Sequence, residues 1–149
     1  MIPIPDSIPA SAVIWHVQAV NNGRWVTLTE GVQGALPGEG YGFAHMDYWH
    51  NYVDQNSQNA VYDVVTQANF VKQEGNGKTA YYEWLGSNNP LTAGYQVELI
   101  VVVGSNGDVI TSYPVAGDYV DNTIQGAEKS QLPWWVNVGT YYTEPNIVA

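Results

Sequence analysis

The sequence contains no cysteine among its 149 residues, and this absence excludes several functions at once. Without a thiol, the chain has no disulfide framework, no thiolate zinc site and no cysteine nucleophile. Basic residues are also scarce, with 4 Lys and Arg against 14 Asp and Glu and a formal net charge of −10. Because nucleic-acid binding normally relies on basic side chains that neutralise phosphates, we do not expect a general, high-affinity nucleic-acid binder.

The sequence also lacks long apolar runs. None approaches the roughly 20 residues that a membrane-spanning helix needs, so we expect no membrane span. The segment Met1–Ala10 has three prolines and no positive charge, unlike a signal peptide. We therefore expect any export to depend on another segment or system.

Aromatic residues are abundant, with 6 Trp and 11 Tyr in a chain that is 45% hydrophobic. This is the composition of a folded protein and not of a disordered one. Because domains cluster around 100 to 150 residues, we expect residues 1–149 to form a single domain.

The first half of the chain predicts a hairpin and two helices. Strands are expected at Ala12–Val20 and Arg24–Leu28, around the turn signal Asn21-Asn22-Gly23, and a glycine-rich loop follows. A first helix is expected over Phe43–Val53 and a second, capped by Ser57, over Gln58–Phe70. The second has one apolar stripe, formed by Ala60, Val61, Val64, Val65 and Ala68.

The second half predicts strands at Lys78–Leu85, Tyr95–Val103 and Asp108–Val115, with a turn at Gly104–Gly107. The part after Gly117 suggests an extended segment packing over the sheet. Pro133 would open it, and its aromatic residues are Trp134, Trp135, Tyr141 and Tyr142. The expected fold class is α+β, with an N-terminal hairpin and two short helices followed by an antiparallel sheet of about four strands.

Two segments carry side chains suited to catalysis. Because a strand alternates its facing, Val109, Thr111 and Tyr113 are expected on one face, with two hydroxyls side by side. His45 and His50 fall within six residues, and imidazole both accepts and donates protons near neutral pH. An i, i+5 pair diverges by about 140° on a helix, so one histidine is expected to face the site. The Thr111–Tyr113 pair by itself is more typical of an ordinary strand, whereas the histidine spacing suits a helix-surface position as well as a catalytic one.

Other side chains give weaker signals. Lys78 follows Gly75-Asn76-Gly77 and would assist a phosphate site, although this pattern is more typical of a plain turn. Asp47 or Asp54 could join the histidines, but the spacing matches no metal motif, so neither a metal nor a cofactor is expected. No spacing among the carboxylates singles out a glycosidase pair.

Together these segments resemble the barnase, EndoU, colicin and RelE group of ribonucleases, as found in phage proteins and at the C-termini of contact-dependent and other polymorphic toxins. The run Val101–Pro114 fits the family pattern V-V-V-x-x-x-G-x-V-x-T-x-Y-P, and Gly42-Phe43-Ala44-His45 resembles its Gly-aromatic-x-His helix. The resemblance covers about Gly40 to Val115, half of the chain, as a nuclease-like core with extensions at both ends.

The resemblance implies a ribonuclease that cleaves tRNA or another structured RNA by transesterification from the ribose 2′-OH, without a metal or cofactor. The implied catalytic residues are His45, His50, Lys78, Thr111 and Tyr113. Substrate-binding positions would be Tyr41, Trp49, Lys72 and Tyr82, whose aromatic members would stack on bases. It also implies delivery into the cytoplasm of a target bacterium and a cognate immunity protein.

Two alternatives stay open. An acidic, immunity-type inhibitor of a basic nuclease would use the negative charge itself, and it predicts a contiguous acidic face with His45 and Tyr113 far apart. A phage structural or adhesion domain rich in Tyr and Trp predicts no cleft. The position of His45 relative to Tyr113 distinguishes these hypotheses.

Overall fold

The computed structural model describes residues 8–20, 23–36, 38–92, 96–116 and 131–143. In chain order the elements are β1 (Val13–Gln18), β2 (Trp25–Thr29), α1 (Gly42–His50), α2 (Gln55–Gln67), β3 (Phe70–Gln73), β4 (Thr79–Ser87), β5 (Gln96–Val103), β6 (Val109–Ala116), α3 (Trp134–Asn137) and β7 (Tyr141–Thr143). This arrangement confirms the predicted α+β class, the N-terminal hairpin and the antiparallel sheet. The expected Asn21-Asn22 turn and Tyr95 lie outside the described residues.

The main sheet has five strands, one more than expected among the described residues. Its order is β3-β4-β5-β6, and β7 pairs with the second half of β4. The short strands β3 and β7 thus share one side of β4, while β5 pairs along its other side. No helix among the described residues is long and apolar enough to cross a membrane.

The two helices begin and end at different residues from those predicted. Helix α1 ends at His50 because Asn51 adopts a left-handed conformation with φ 63°, a common helix stop. Helix α2 begins earlier than expected, because Asp54 and not Ser57 is its N-cap. The Asp54 side chain accepts from the Ser57 backbone N–H, and Ser57 Oγ accepts from the Asp54 N–H in return, so Gln55–Ser57, which the prediction left between the two helices, is the first helical turn.

The predicted apolar stripe of α2 is confirmed, since all five of its side chains are buried. The stripe packs on the face of the sheet that carries Tyr81, Leu85, Leu99 and Val101. Burying each valine contributes roughly 1.5–3 kcal/mol. The helix was expected to reach Phe70, but that residue starts β3, where it pairs with Tyr82 in a smaller cluster on the opposite sheet face.

The N-terminal hairpin holds one end of the main sheet. The Arg24 guanidinium donates to Thr79 Oγ1 at 2.9 Å and also to the Gly104 carbonyl. The Thr27 N–H donates to the Gly107 carbonyl at 2.9 Å. The turn between β5 and β6 is therefore fixed by hydrogen bonds from β2 and from Arg24, the residue that precedes it.

The C-terminal part is only partly extended, which corrects the prediction. Trp134 and Trp135 lie in the short helix α3, which follows Pro133 and packs on α2, with Trp135 buried. Tyr141 and Tyr142 are extended as expected, but they add a strand to the sheet edge instead of covering a face. Residues 117–130 of this extension lie outside the described residues.

Strand β4 places one carboxyl group in the core. Glu83 is fully buried, and neither of its carboxyl oxygens has a hydrogen-bond partner among the described residues. Burial raises the pKa of Glu83 to about 9, and the nearby charge of Asp63 on α2 adds to the effect. The Tyr141 hydroxyl donates to Asp63 Oδ2 at 3.4 Å, so this carboxylate already has a partner.

Replacing Glu83 with Gln should therefore make the free energy of unfolding less dependent on pH. The folded-state pKa is about 9 and the ordinary value is 4.5, so between them the folded chain keeps a proton that the unfolded chain releases. Stability of the natural protein then falls as pH rises, by up to about 1.4 kcal/mol per pH unit.

We expect Glu83→Gln to be more stable than the natural protein at pH 8, with a smaller difference at pH 5, in urea unfolding at both pH values. The exposed Glu39 gives the matched control Glu39→Gln, which should show no such change. Equal stability differences at pH 5 and pH 8 would contradict the buried-proton explanation.

Candidate functional site

A β-bulge in β6 decides which side chains face the site. Val102 pairs with Thr111 and Val103 pairs with Val109, so Ile110 is an extra residue in β6. Val109 consequently points into the core, and the expectation that it shares a face with Thr111 is wrong. Thr111 and Tyr113 do share a face, since they pair with alternate residues of β5.

Helix α1 lies beside β6, and its first residue must be glycine. Gly42 has φ 76°, and a Cβ atom there would lie 2.8 Å from the Thr29 carbonyl oxygen. At the other end, the buried Tyr52 hydroxyl and Ser112 Oγ form a 2.8 Å hydrogen bond. Because these contacts fix both ends of α1, its histidines are held over β6.

The five residues predicted to be catalytic line one cavity of about 300 Å³, which we call the histidine cavity. They are His45, His50, Lys78, Thr111 and Tyr113. Gly38, Gly40, Val102 and Ile110 complete the wall. Helix α1, the glycine-rich loop, the β3–β4 turn and strands β5 and β6 thus all contribute to one small concave site.

Both histidines face this cavity, contrary to the expectation that only one would. Their ring centroids are 5.2 Å apart, and the His50 ring lies 5.9 Å from that of Tyr113. The Cα positions diverge around the helix, but both side chains extend well beyond the backbone radius of about 2.3 Å. They converge because both reach into the gap between α1 and β6.

The His45 ring is held by the backbone of the glycine-rich loop. His45 is only 3% exposed, and its Nδ1 lies 3.3 Å from the Gln33 carbonyl oxygen. Because a carbonyl oxygen only accepts, Nδ1 carries a hydrogen, and Nε2 of the neutral ring is free of one. The same carbonyl accepts from Trp49 Nε1 at 3.2 Å, so Trp49 supports the loop that orients His45.

Thr111 presents a hydroxyl without a partner. Its Oγ1 is buried and makes no hydrogen bond with any described residue. An unsatisfied buried hydroxyl costs about 1–3 kcal/mol, so this position favours a ligand with a polar atom at that point. The phenol of Tyr113 stands two residues along on the same face, which gives two neighbouring hydroxyl groups as the sequence predicted.

Lys78 connects the histidine cavity with a larger one. A cavity of about 580 Å³, here called the turn cavity, is lined by Tyr41, Asn76, Asp108 and the β5–β6 turn residues Gly104, Ser105 and Asn106. Gly40, Lys78 and Ile110 line both cavities, so the two cavities lie next to each other. The Lys78 side chain is exposed and forms no ion pair within the described parts of the chain.

Of the four residues predicted to bind substrate, one lines a cavity described above and three do not. Tyr41 lines the turn cavity. Trp49, Lys72 and Tyr82 line neither cavity: Lys72 lies 3.9 Å from the Glu74 carboxylate, and Tyr82 is 3% exposed within the smaller apolar cluster. A ring buried to that extent has no free face for a base, so the stacking role expected of Tyr82 does not fit its position.

The turn cavity was not foreseen, although the sequence contains a signal for it. The β3–β4 turn and the β5–β6 turn were each identified only as connections. Because Thr79 pairs with Val103, the two turns lie at the same end of the sheet. Alternate turns of an antiparallel meander always meet in this way, so the register alone would bring Asn76 and Asp108 together.

The local charge differs from that of the whole chain. Among the described residues that line the two cavities, Asp108 is the one carboxylate and Lys78 the one ammonium. Burial raises the pKa of Glu30 and of Asp47, with Asp47 adding to the effect on Glu30, but neither residue lines the histidine cavity or the turn cavity. Within the described ranges, no three His, Asp or Glu side chains are grouped closely enough to hold a metal ion.

The Tyr52–Ser112 hydrogen bond should contribute measurably to the attachment of α1. Burial raises the pKa of Tyr52, so the phenol stays protonated and can share its hydrogen with Ser112. We expect Tyr52→Phe and Ser112→Ala each to lower the free energy of unfolding by about 1–3 kcal/mol, because each leaves one buried hydroxyl unpaired. The double variant should lose clearly less than the sum; additive losses in chemical unfolding would contradict a direct interaction.

No protein-family model matches the chain, and comparisons with curated proteins and with solved structures find no match either. Function therefore has to be inferred from the geometry and chemistry of the residues that line the two cavities.

Proposed function

We propose that this protein is a metal-independent endoribonuclease that cleaves RNA by transesterification from the ribose 2′-OH. The observation that carries the proposal is the shared lining of the histidine cavity: two imidazoles, one ammonium and two hydroxyl groups surround about 300 Å³. This is the set of groups that moves protons and stabilises charge at a phosphodiester.

The reaction needs one base and one acid, and the two histidines suit these roles. His45 accepts the 2′-OH proton at Nε2, because the Gln33 carbonyl holds the hydrogen on Nδ1. The 2′-oxygen attacks the adjacent phosphorus, and the bond to the 5′-oxygen breaks. His50 protonates that leaving oxygen, which gives a 2′,3′-cyclic phosphate and a free 5′-hydroxyl.

The remaining groups act on the phosphate. The unpaired Lys78 ammonium offsets its charge, and the hydroxyls of Thr111 and Tyr113 donate to the phosphoryl oxygens as negative charge develops on them. The buried Oγ1 of Thr111 gains the partner that it lacks within the described residues.

The net charge of −10 restricts the ways in which such an enzyme can bind RNA. Because Lys78 is the one Lys or Arg among the described residues that line the cavities, few phosphates are contacted and little affinity comes from counterion release. Recognition must therefore use the shape and bases of its target. A structured RNA such as tRNA, which exposes single bases in loops, fits this requirement.

From the resemblance to toxin ribonucleases, we also propose a biological role, that of a toxin acting on other bacteria. A ribonuclease of this kind would be delivered into the cytoplasm of a target bacterium. The producing cell would need a cognate immunity protein, because an active intracellular ribonuclease is lethal to its host.

The alternatives are less well supported. An immunity-type inhibitor was expected to separate His45 from Tyr113, and a structural or adhesion domain was expected to lack a cleft. Both residues line the histidine cavity, which counts against each of these expectations.

The direct test is cleavage of total RNA in the presence of EDTA. We expect cleavage by the natural protein, and a loss of about 10²- to 10⁴-fold in rate with His45→Ala, the range typical of a general base. His50→Ala should behave similarly, and Tyr113→Phe should lose less.

The third histidine supplies the matched control. His16 is exposed on the hairpin, where it stacks on Trp25, and it lines neither the histidine cavity nor the turn cavity. His16→Ala should retain full activity, and circular dichroism should show that every variant is folded. Inert natural protein, or full activity of a folded His45→Ala variant, would refute the proposed function.

A further inference from the structure

We infer that the turn cavity is a base-binding subsite, in which Asp108 selects nucleotides whose base carries an exocyclic amino group. The inference rests on the proposed ribonuclease function, and it names the specificity of that same site. Its volume of about 580 Å³ falls within the range of small-molecule sites and is large enough for one nucleoside.

Lys78 fixes how a nucleotide would lie across the two cavities. Its ammonium belongs to both walls and forms no ion pair with any described residue. A phosphate placed at this boundary would meet the histidines, Thr111 and Tyr113 on one side. The attached nucleoside would then extend into the turn cavity on the other side.

The chemistry of the turn cavity suits a base and not a second phosphate. Among the described residues that line this cavity, two are charged, Lys78 and Asp108. The Asp108 carboxylate repels anions and only accepts hydrogen bonds. The amides of Asn76 and Asn106 add polar groups, and Tyr41 adds an aromatic ring. An aromatic ring beside hydrogen-bonding groups is how proteins usually hold an unpaired base.

The Asp108 carboxylate is held in place and keeps accepting capacity. Asn106 Nδ2 donates to Asp108 Oδ2 at 3.3 Å, and the Asp108 backbone N–H donates to Asn106 Oδ1 at 3.0 Å. Thr27 also bridges to the Asp108 backbone. The remaining carboxylate oxygen, Oδ1, accepts no hydrogen bond from the described residues and so remains available to a ligand.

A fixed carboxylate discriminates among bases by their donors. Adenine, cytosine and guanine each carry an exocyclic amino group, which donates to a carboxylate. Uracil has a single N–H between two carbonyl oxygens, and these oxygens repel the carboxylate. The subsite should therefore accept amino-bearing bases and disfavour uracil.

Binding of nucleoside monophosphates tests this directly and needs no cleavage. We expect AMP, CMP or GMP to bind at least about tenfold more tightly than UMP in isothermal titration, since one good base contact gives roughly this discrimination. Asp108→Asn keeps the side-chain shape but adds a donor, and it should reduce or reverse the preference. Glu39→Gln, an exposed acidic position that lines neither cavity, should leave the preference unchanged.

The outcomes separate the subsite from the proposed catalysis. RNA cleavage with no binding preference, or with a preference that Asp108→Asn leaves intact, would overturn the subsite while the ribonuclease stands. An Asp108-dependent preference in a protein that cleaves no RNA would support the subsite and refute the catalytic proposal. Absence of binding by all four nucleotides would overturn the subsite. If Asp108→Asn fails to fold, Asp108→Ser provides the same test.

Discussion

The attachment of α1 to β6 is the constraint on which the candidate site depends. The buried Tyr52–Ser112 hydrogen bond joins the segment after the helix to β6, and at the other end Gly42 packs against β2, where any side chain would collide with the Thr29 carbonyl. The Tyr52–Ser112 bond lies on the core side of β6, whereas the histidines line a cavity with Thr111 and Tyr113, which face the opposite side of the strand. The main core therefore positions the helix from one face of β6, while the candidate chemistry uses side chains on the other face.

Periodicity predicted the parts of the fold that depend on burial. The apolar stripe of α2 could be recognised because a helix must bury one face, and the hydroxyls of Thr111 and Tyr113 could be paired because strands alternate. The bulge at Ile110 could not be recognised from the sequence, because one extra residue does not alter the composition of the strand. It changes only which face of the sheet the preceding strand residues point to. For the same reason Val109 was assigned to the wrong face.

Helix ends and long-range contacts were harder to predict than periodic segments. Asp54 and Ser57 were both suitable caps, and only the reciprocal hydrogen bonds between them show which residue begins α2. The turn cavity was missed because β3 was not predicted as a strand, so the turn at Gly75–Gly77 was not recognised as part of the same meander as the β5–β6 turn. The total charge was also a poor guide to the site, because Asp108 is the one carboxylate among the described residues of either cavity wall. Net charge describes the whole surface, whereas chemistry depends on the few groups within reach of the substrate.

The central claim is that the histidine cavity receives a phosphodiester, and imidazole nitrogen spectra test it most directly. The protein would be titrated with a 2′-deoxy dinucleotide, which lacks the attacking hydroxyl and stays intact, while the ¹⁵N signals of all three histidines are followed by NMR. The structure predicts saturable shifts for His45 and His50 and none for His16, which lies on the hairpin and does not line the cavity. Equal shifts at all three histidines, or none at His45 and His50, would contradict a substrate site between α1 and β6.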